Sequence, residues 1–154
     1  MYIWNIKGLV QALKKGSLSS KSQKQYKAIG ISLFALALLA DPILMMTESF
    51  NRLDIIDMIS YLVINLVGIY IAYILNKRGD GKEFGFRYFS LYLPITLRFF
   101  VLFLIITIVG YLVLPIFYPS ILLDETNWFD LFTSVGTEVY FNILMVKYIK
   151  KVNE

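Results

Sequence analysis

Two charged side chains, Arg98 and Glu138, lie inside apolar runs of this sequence that are long enough to cross a membrane. A charge at membrane depth is costly and usually marks an ion path, a proton relay or a paired structural site. Arg98 follows the cation Arg87 by eleven residues and Glu138 precedes Lys147 by nine, so in helices both lie about 15 Å from these flanking cations. Because consecutive antiparallel helices are usually neighbours, the sequence predicts an intramembrane Arg98–Glu138 ion pair.

This predicted pair has three interpretations. It fixes how two helices dock, or it belongs to a conduction or transport path, or Arg98 extends alone to the inner membrane surface. Polar side chains near Glu138 favour a path, because they occupy one half of a helix plotted at about 100° per residue. They include Asp130, Ser134, Thr137 and Asn142.

A second polar stripe lies on an earlier apolar run and consists of Asp57, Tyr61 and Asn65. The spacing places these residues on one helix face. Gly68 and Ala72 extend that face as a pair of small residues, which favours close helix packing. The stripe therefore either lines a polar path or packs against another helix, and we expect Asn65 to reach the predicted ion pair.

The composition points to a membrane protein. Hydrophobic residues make up 58% of the 154 residues and charged residues 17%, and the mean hydropathy is +0.65. A soluble domain has a lower apolar fraction and more charge. The chain has no histidine and no cysteine, which excludes disulfides, thiol catalysis and histidine-based triads. We expect no enzymatic activity, no cofactor and no metal.

Four runs are long enough to be membrane helices, since a crossing takes about 20 residues. The sequence therefore predicts an all-α polytopic membrane protein, a four-helix transmembrane bundle with a short N-terminal interfacial helix. Residues 1–16 form the interfacial amphipathic helix and residues 17–154 the transmembrane domain. The predicted spans are residues 28–46, 55–75, 89–117 and 129–148.

The lysines and arginines predict the orientation. Thirteen of the fifteen fall in residues 1–27, in the turn 76–88 or in the C-terminal tail. Because cations concentrate on the cytoplasmic side, both termini are expected there. The net charge of +4 thus reflects topology, and we expect no nucleic-acid partner.

The N-terminal segment Tyr2–Lys15 has apolar residues at helical spacing, and Gly16 is a natural helix stop. It either lies on the inner leaflet or packs under the bundle. Basic residues near this surface are expected to contact anionic lipid. They are Lys7, Lys14, Lys15, Lys77 and Arg78.

Two Asn-x-x-Asp spacings, Asn51 with Asp54 and Asn127 with Asp130, are typical of helix N-terminal caps. The alternative is an acidic outer mouth that attracts cations. On the opposite side, the glycine-rich turn 76–89 is interpreted as solvated, or else as an anion site built from free backbone N–H groups.

Two runs, WNIKGLVQALKKGSLS (4–19) and GKEFGFRYFSLYLPITLR (81–98), resemble segments of small four-span bacterial inner-membrane proteins that are themselves uncharacterised. The resemblance covers about a third of the chain. It implies a bacterial inner membrane and nothing about activity, and Arg98 matches the arginine that closes the second run.

Two functions are compatible with these features. One is a homo-oligomeric channel, pore or carrier, which includes a membrane-disrupting effector. The other is a non-catalytic membrane anchor or accessory subunit with a protein partner on the cytoplasmic side. Four spans of this size cannot enclose a wide path alone, so conduction requires a homo-oligomer.

Overall fold

The computed structural model describes residues 2–44, 51–118 and 125–154, and within residues 40–44 it describes the backbone alone. These residues form five helices and no strand, so the all-α fold class is confirmed for the described part of the chain. The helices are α1 (Ile6–Lys15), α2 (Ser20–Leu44), α3 (Arg52–Arg78), α4 (Phe84–Phe117) and α5 (Trp128–Asn153).

Two helices of the described residues, α3 and α4, are apolar and long enough to cross a membrane. Their most apolar stretches have mean hydropathies of 2.1 and 2.8, and almost none of those residues is buried inside the protein. Polar residues such as Glu138 and Asn142 lower the mean hydropathy of α5. The first predicted span, residues 28–46, extends beyond Leu44, where α2 ends in the described residues. Two spans are therefore supported by hydropathy, where the sequence predicted four.

The Asn-x-x-Asp spacings are capping boxes at the starts of α3 and α5, as predicted. Asn51 accepts a backbone hydrogen bond from Asp54 at 3.2 Å, and the Asp54 carboxylate accepts one from the backbone of Asn51 at 2.7 Å. Asn127 and Asp130 repeat this arrangement. The two caps are also linked, because Asn51 Nδ2 donates to the Thr126 carbonyl at 2.9 Å.

Helix pairing follows from the polar and apolar faces. The closest pair is α3 with α5, and α4 packs against both α2 and α5. The buried hydrophobic core gathers near the ends of the helices that carry most of the cations, and it includes Tyr88, Leu91, Met145 and Ile149. In α4 the exposed large hydrophobic side chains begin only at Phe100, because the earlier turns are covered by protein.

Helix α1 belongs to this core. Its apolar side chains, among them Ile6, Leu9 and Leu13, are buried with residues of α4 and α5. Gly16 ends the helix in the left-handed conformation, with φ of 62°. The structure thus has α1 packed on the bundle with its apolar face turned to protein, which is one of the two alternatives that the sequence leaves open for this segment.

We expect Leu9→Ala to lower the free energy of unfolding by about 2–5 kcal/mol, because the Leu9 side chain is fully buried in the core. Chemical unfolding of the purified protein in detergent, followed by circular dichroism, measures this change. Gln11→Ala, on the exposed side of α1, is the matched control and should change stability by less than about 0.5 kcal/mol. Equally small effects of both variants would contradict the packing described for α1.

Candidate functional site

The candidate site is a polar cluster between α3 and α5, centred on Glu138. Asn65 Nδ2 of α3 donates a hydrogen bond to Glu138 Oε2 at 3.0 Å. Asn142, one turn after Glu138, donates through Nδ2 to Asn65 Oδ1 at 3.3 Å and to the Glu138 carbonyl at 3.0 Å. The expected approach of Asn65 to Glu138 is therefore present, and two amides share the contact between the helices.

A glycine makes this contact possible. A Cβ atom on Gly68 would lie 1.8 Å from Asn142 Oδ1, far inside van der Waals contact. Gly68 and Ala72 are both buried in α3, so the small-residue pair noted in the sequence is used within the chain, where it brings the α3 backbone close to α5. Asn142 is buried as a result, and its Oδ1 has no hydrogen-bond partner within the described residues.

The predicted Arg98–Glu138 ion pair is wrong. Arg98 is exposed and donates through Nη2 to the Trp4 carbonyl at 2.6 Å, whereas Glu138 meets Asn65. The reason is the direction in which the Arg98 side chain leaves α4. The adjacent Phe99 packs edge-to-face on Phe141 of α5, and a side chain one residue away points about 100° from it.

Buried tyrosines of α4 form the third side of the cluster. Tyr88 and Tyr92 are both buried, and the charge of Glu138 reaches their hydroxyl groups electrostatically. Tyr61 of α3 interacts electrostatically with the same two tyrosines. The Tyr88 hydroxyl has no hydrogen-bond partner in the part of the chain that the structure describes, and leaving such a group unpaired costs about 1–3 kcal/mol.

The other residues of the two polar stripes have different environments. Thr137 donates its hydroxyl to the Thr133 carbonyl at 2.6 Å, a contact within α5. Asp130 serves the α5 cap and accepts from the Tyr111 hydroxyl at 2.5 Å. Asp57 and Ser134 are half-buried on their helices. The stripes thus separate into the Glu138 cluster, the Asp130 cap and residues that lie on their own helices.

A second polar centre, which sequence reasoning missed, surrounds Arg87 at the start of α4. This buried guanidinium donates to both carboxylate oxygens of Asp80, at 2.5 and 2.6 Å, to Asn76 at 3.1 Å and to Asn153 at 2.7 Å. It therefore ties α3, the turn and the end of α5 to α4. The spacing of residues in the sequence does not predict this centre, because Arg87 is there only one of the cations that indicate orientation and depth.

The turn around Asp80 is exposed over residues 77–83, as its interpretation as solvated predicts, and it is also tied to the protein through the contact of Asp80 with Arg87. The backbone N–H groups of Gly79 and Gly81 donate to the end of α3, and that of Lys82 donates to Asp80. These three groups are therefore occupied, and an anion held by other backbone N–H groups of the turn stays a prediction.

The basic residues predicted to contact lipid lie in two places. Lys7, Lys77 and Arg78 are exposed, as a contact with anionic lipid requires. Lys14 and Lys15, also exposed, line a pocket beside the turn of Asp80. The described residues contain no group of three acidic, histidine or cysteine side chains placed to hold a metal ion.

Comparison with protein-family models, with curated proteins and with solved structures finds no match to this chain. What the chain does must therefore be inferred from its own geometry.

We expect Gly68→Ala to destabilise the protein by about 1–3 kcal/mol, because the new methyl group collides with Asn142. The same change should cost much less in a variant that already has Asn142→Ala, where the two nearest colliding atoms, Oδ1 and Cγ, are gone and only Cβ remains, at 2.9 Å. Thermal unfolding in detergent of the four proteins of this double-mutant cycle measures the coupling. Gly136→Ala, which meets no atom within 4 Å, is the control, and a cycle without coupling would contradict the close approach.

The Arg87–Asp80 contact predicts a pH dependence of stability. The hydrogen bond from Arg87 lowers the pKa of Asp80 from its ordinary 3.8 to about 2. A carboxyl group with a lowered pKa stabilises the fold above its unfolded pKa and loses that effect as it is protonated. We expect this contribution to be complete above about pH 4 and to disappear as the pH falls toward 2.

Melting temperatures of the wild-type protein and of Asp80→Asn between pH 6 and pH 2.5 measure this effect. The wild-type protein should be the more stable at pH 6, and the difference should shrink below pH 4. Glu125→Gln, an exposed acid, controls for general acid sensitivity. A difference that stays constant over the range would contradict the role of the pair.

Proposed function

We propose that this chain is a bacterial inner-membrane protein that forms a homo-oligomeric channel or carrier, in which Glu138 binds and releases the transported proton or small cation. One observation supports it above all: a carboxyl group lies between two helices and is held there by side-chain amides. Ionisable groups at such positions are usually functional in membrane proteins.

The chemistry of the cluster suits this role. An Asn side chain offers both a donor and an acceptor, so Asn65 and Asn142 can stabilise Glu138 with or without a proton. The buried Tyr88 hydroxyl, within electrostatic reach of Glu138, is a further group that can accept or donate a hydrogen bond. Arg98 is directed elsewhere, and an arginine paired with Glu138 would have held it ionised.

The proposal includes four spans, α2 to α5, with both termini in the cytoplasm. The polar residues of α5 lower its mean hydropathy below that of α3 and α4. Glu138 and Asn142, however, contact Asn65 of α3 rather than lipid. Such pairing makes a polar helix tolerable inside a bilayer. The distribution of the cations supports the orientation.

A homo-oligomer follows from the same pairing. The polar residues that meet between α3 and α5 are hydrogen-bonded to each other within one chain, so one chain provides no wide aqueous path. The exposed apolar surface of α3 and α4 leaves room for contacts with lipid and with further copies. The accessory-subunit alternative is supported by a different feature, the packed cytoplasmic end with α1, which offers a surface for a protein partner.

Flux from proteoliposomes tests the proposed function. We expect Glu138→Gln to reduce proton flux driven by a pH gradient at least tenfold, because the amide keeps the hydrogen bond from Asn65 but cannot ionise. Glu125→Gln removes an exposed acid near the start of α5 and should keep wild-type flux. An impermeant thiol reagent on Glu125→Cys reports the orientation of each preparation.

The mass of the protein in detergent is measured on the same samples. An oligomer with Glu138-dependent flux supports the channel or carrier. Flux that is unchanged in Glu138→Gln would assign Glu138 to helix packing alone. A monomer without flux would overturn the proposal in favour of the accessory subunit.

A further inference from the structure

A pocket of about 540 Å³ opens at the cytoplasmic end of the bundle. It is lined by the end of α1, the start of α2, and the turn between α3 and α4. We call it the base pocket and define it by Lys14, Lys15, Lys82, Glu83, Phe86 and Arg87. Its volume is within the range of small-molecule sites, about 300–1,000 Å³.

The charges of the base pocket do not balance. Asp80 and Arg87 compensate each other, since both carboxylate oxygens accept from the guanidinium. The three lysines that remain, Lys14, Lys15 and Lys82, face a single further acid, Glu83. None of these lysines is in an ion pair within the described residues.

The convergence of these lysines is not explained by local structure. The α1 dipole favours Lys14 and Lys15 near the C-terminus of that helix. Lys82, however, comes from the turn after α3, a distant part of the sequence, and lines the same pocket. Like charges brought together repel each other unless an anion lies between them.

We infer that the base pocket binds a phosphate-bearing anion, held by the ammonium groups of Lys14, Lys15 and Lys82. Lysine is a common phosphate ligand that acts as a point charge, and three such groups suit an anion with several equivalent oxygens. The ammonium groups are the donors assigned here, since the backbone N–H groups of Gly79, Gly81 and Lys82 are occupied. The site is separate from Glu138 and does not depend on transport.

A lipid headgroup and a soluble phosphate compound share this chemistry. Two probes distinguish them: pyrophosphate, which is soluble, and dihexanoyl-phosphatidylglycerol, a short-chain anionic lipid. Isothermal titration of the full-length protein in neutral detergent measures the affinity for each. Binding of pyrophosphate supports the inference and indicates a soluble ligand, whereas binding of the lipid alone supports it and indicates a headgroup.

Two triple variants make the test specific. Lys14→Gln with Lys15→Gln and Lys82→Gln removes the three pocket cations and should weaken the bound probe at least tenfold. Lys21→Gln with Lys24→Gln and Lys27→Gln removes three exposed cations of α2 outside the pocket and should change the affinity less than twofold. All six side chains are exposed, so both variants should fold.

The inference is overturned if neither probe binds the wild-type protein, or if both triple variants weaken binding equally, which is the result of unspecific charge attraction. The single variants Lys82→Gln and Lys21→Gln repeat this comparison with one charge removed from each protein. Raising the salt concentration should weaken binding, because the contacts are electrostatic and partly exposed.

Discussion

A carboxyl group among apolar helices must be hydrogen-bonded, and this constraint on Glu138 determines how α3 and α5 meet. The amide of Asn65 reaches the carboxylate, Asn142 closes the contact, and Gly68 leaves the space that Asn142 fills. Each of these residues would be a poor choice on a lipid-facing helix. Among the described residues the α3–α5 contact is the most extensive one between helices, and an unpaired polar group there would be far more costly in an apolar medium than in water.

Two further polar contacts hold the same helices at their ends. On one side, Arg87 joins α4 to Asp80, Asn76 and Asn153. On the other, the caps of α3 and α5 are linked through Asn51 and the Thr126 carbonyl. Between these two ends, the helices pack mostly through apolar side chains whose shapes fit each other. Hydrogen bonds thus connect α3 and α5 at three levels, through Arg87, the Glu138 cluster and the linked caps, and apolar contacts fill the intervals.

Local patterns in the sequence predicted local structure well. The helical class, the Gly16 stop and both capping boxes depend on residues a few positions apart, and all are present. The contact of Asn65 with Glu138 was expected from matched depth. Depth alone could not predict the direction of Arg98, since that requires the rotation of α4, which the packing of Phe99 on Phe141 sets. The Arg87 centre was also beyond sequence reasoning, because its partners come from three segments that meet only in the folded chain.

The contact between Arg98 and the Trp4 carbonyl places one of the two tryptophans of the chain beside α4. The indole of Trp4 is 62% exposed beside the N-terminal helix, and the second of the two tryptophans, Trp128, is 60% exposed at the start of α5. The residue before Trp128, Asn127, donates to Tyr111, which lies about 20 Å along α4 from Arg98. Tryptophan emission depends on the polarity around the ring, so these two exposed fluorophores report the surroundings of two separate parts of the bundle without any added label.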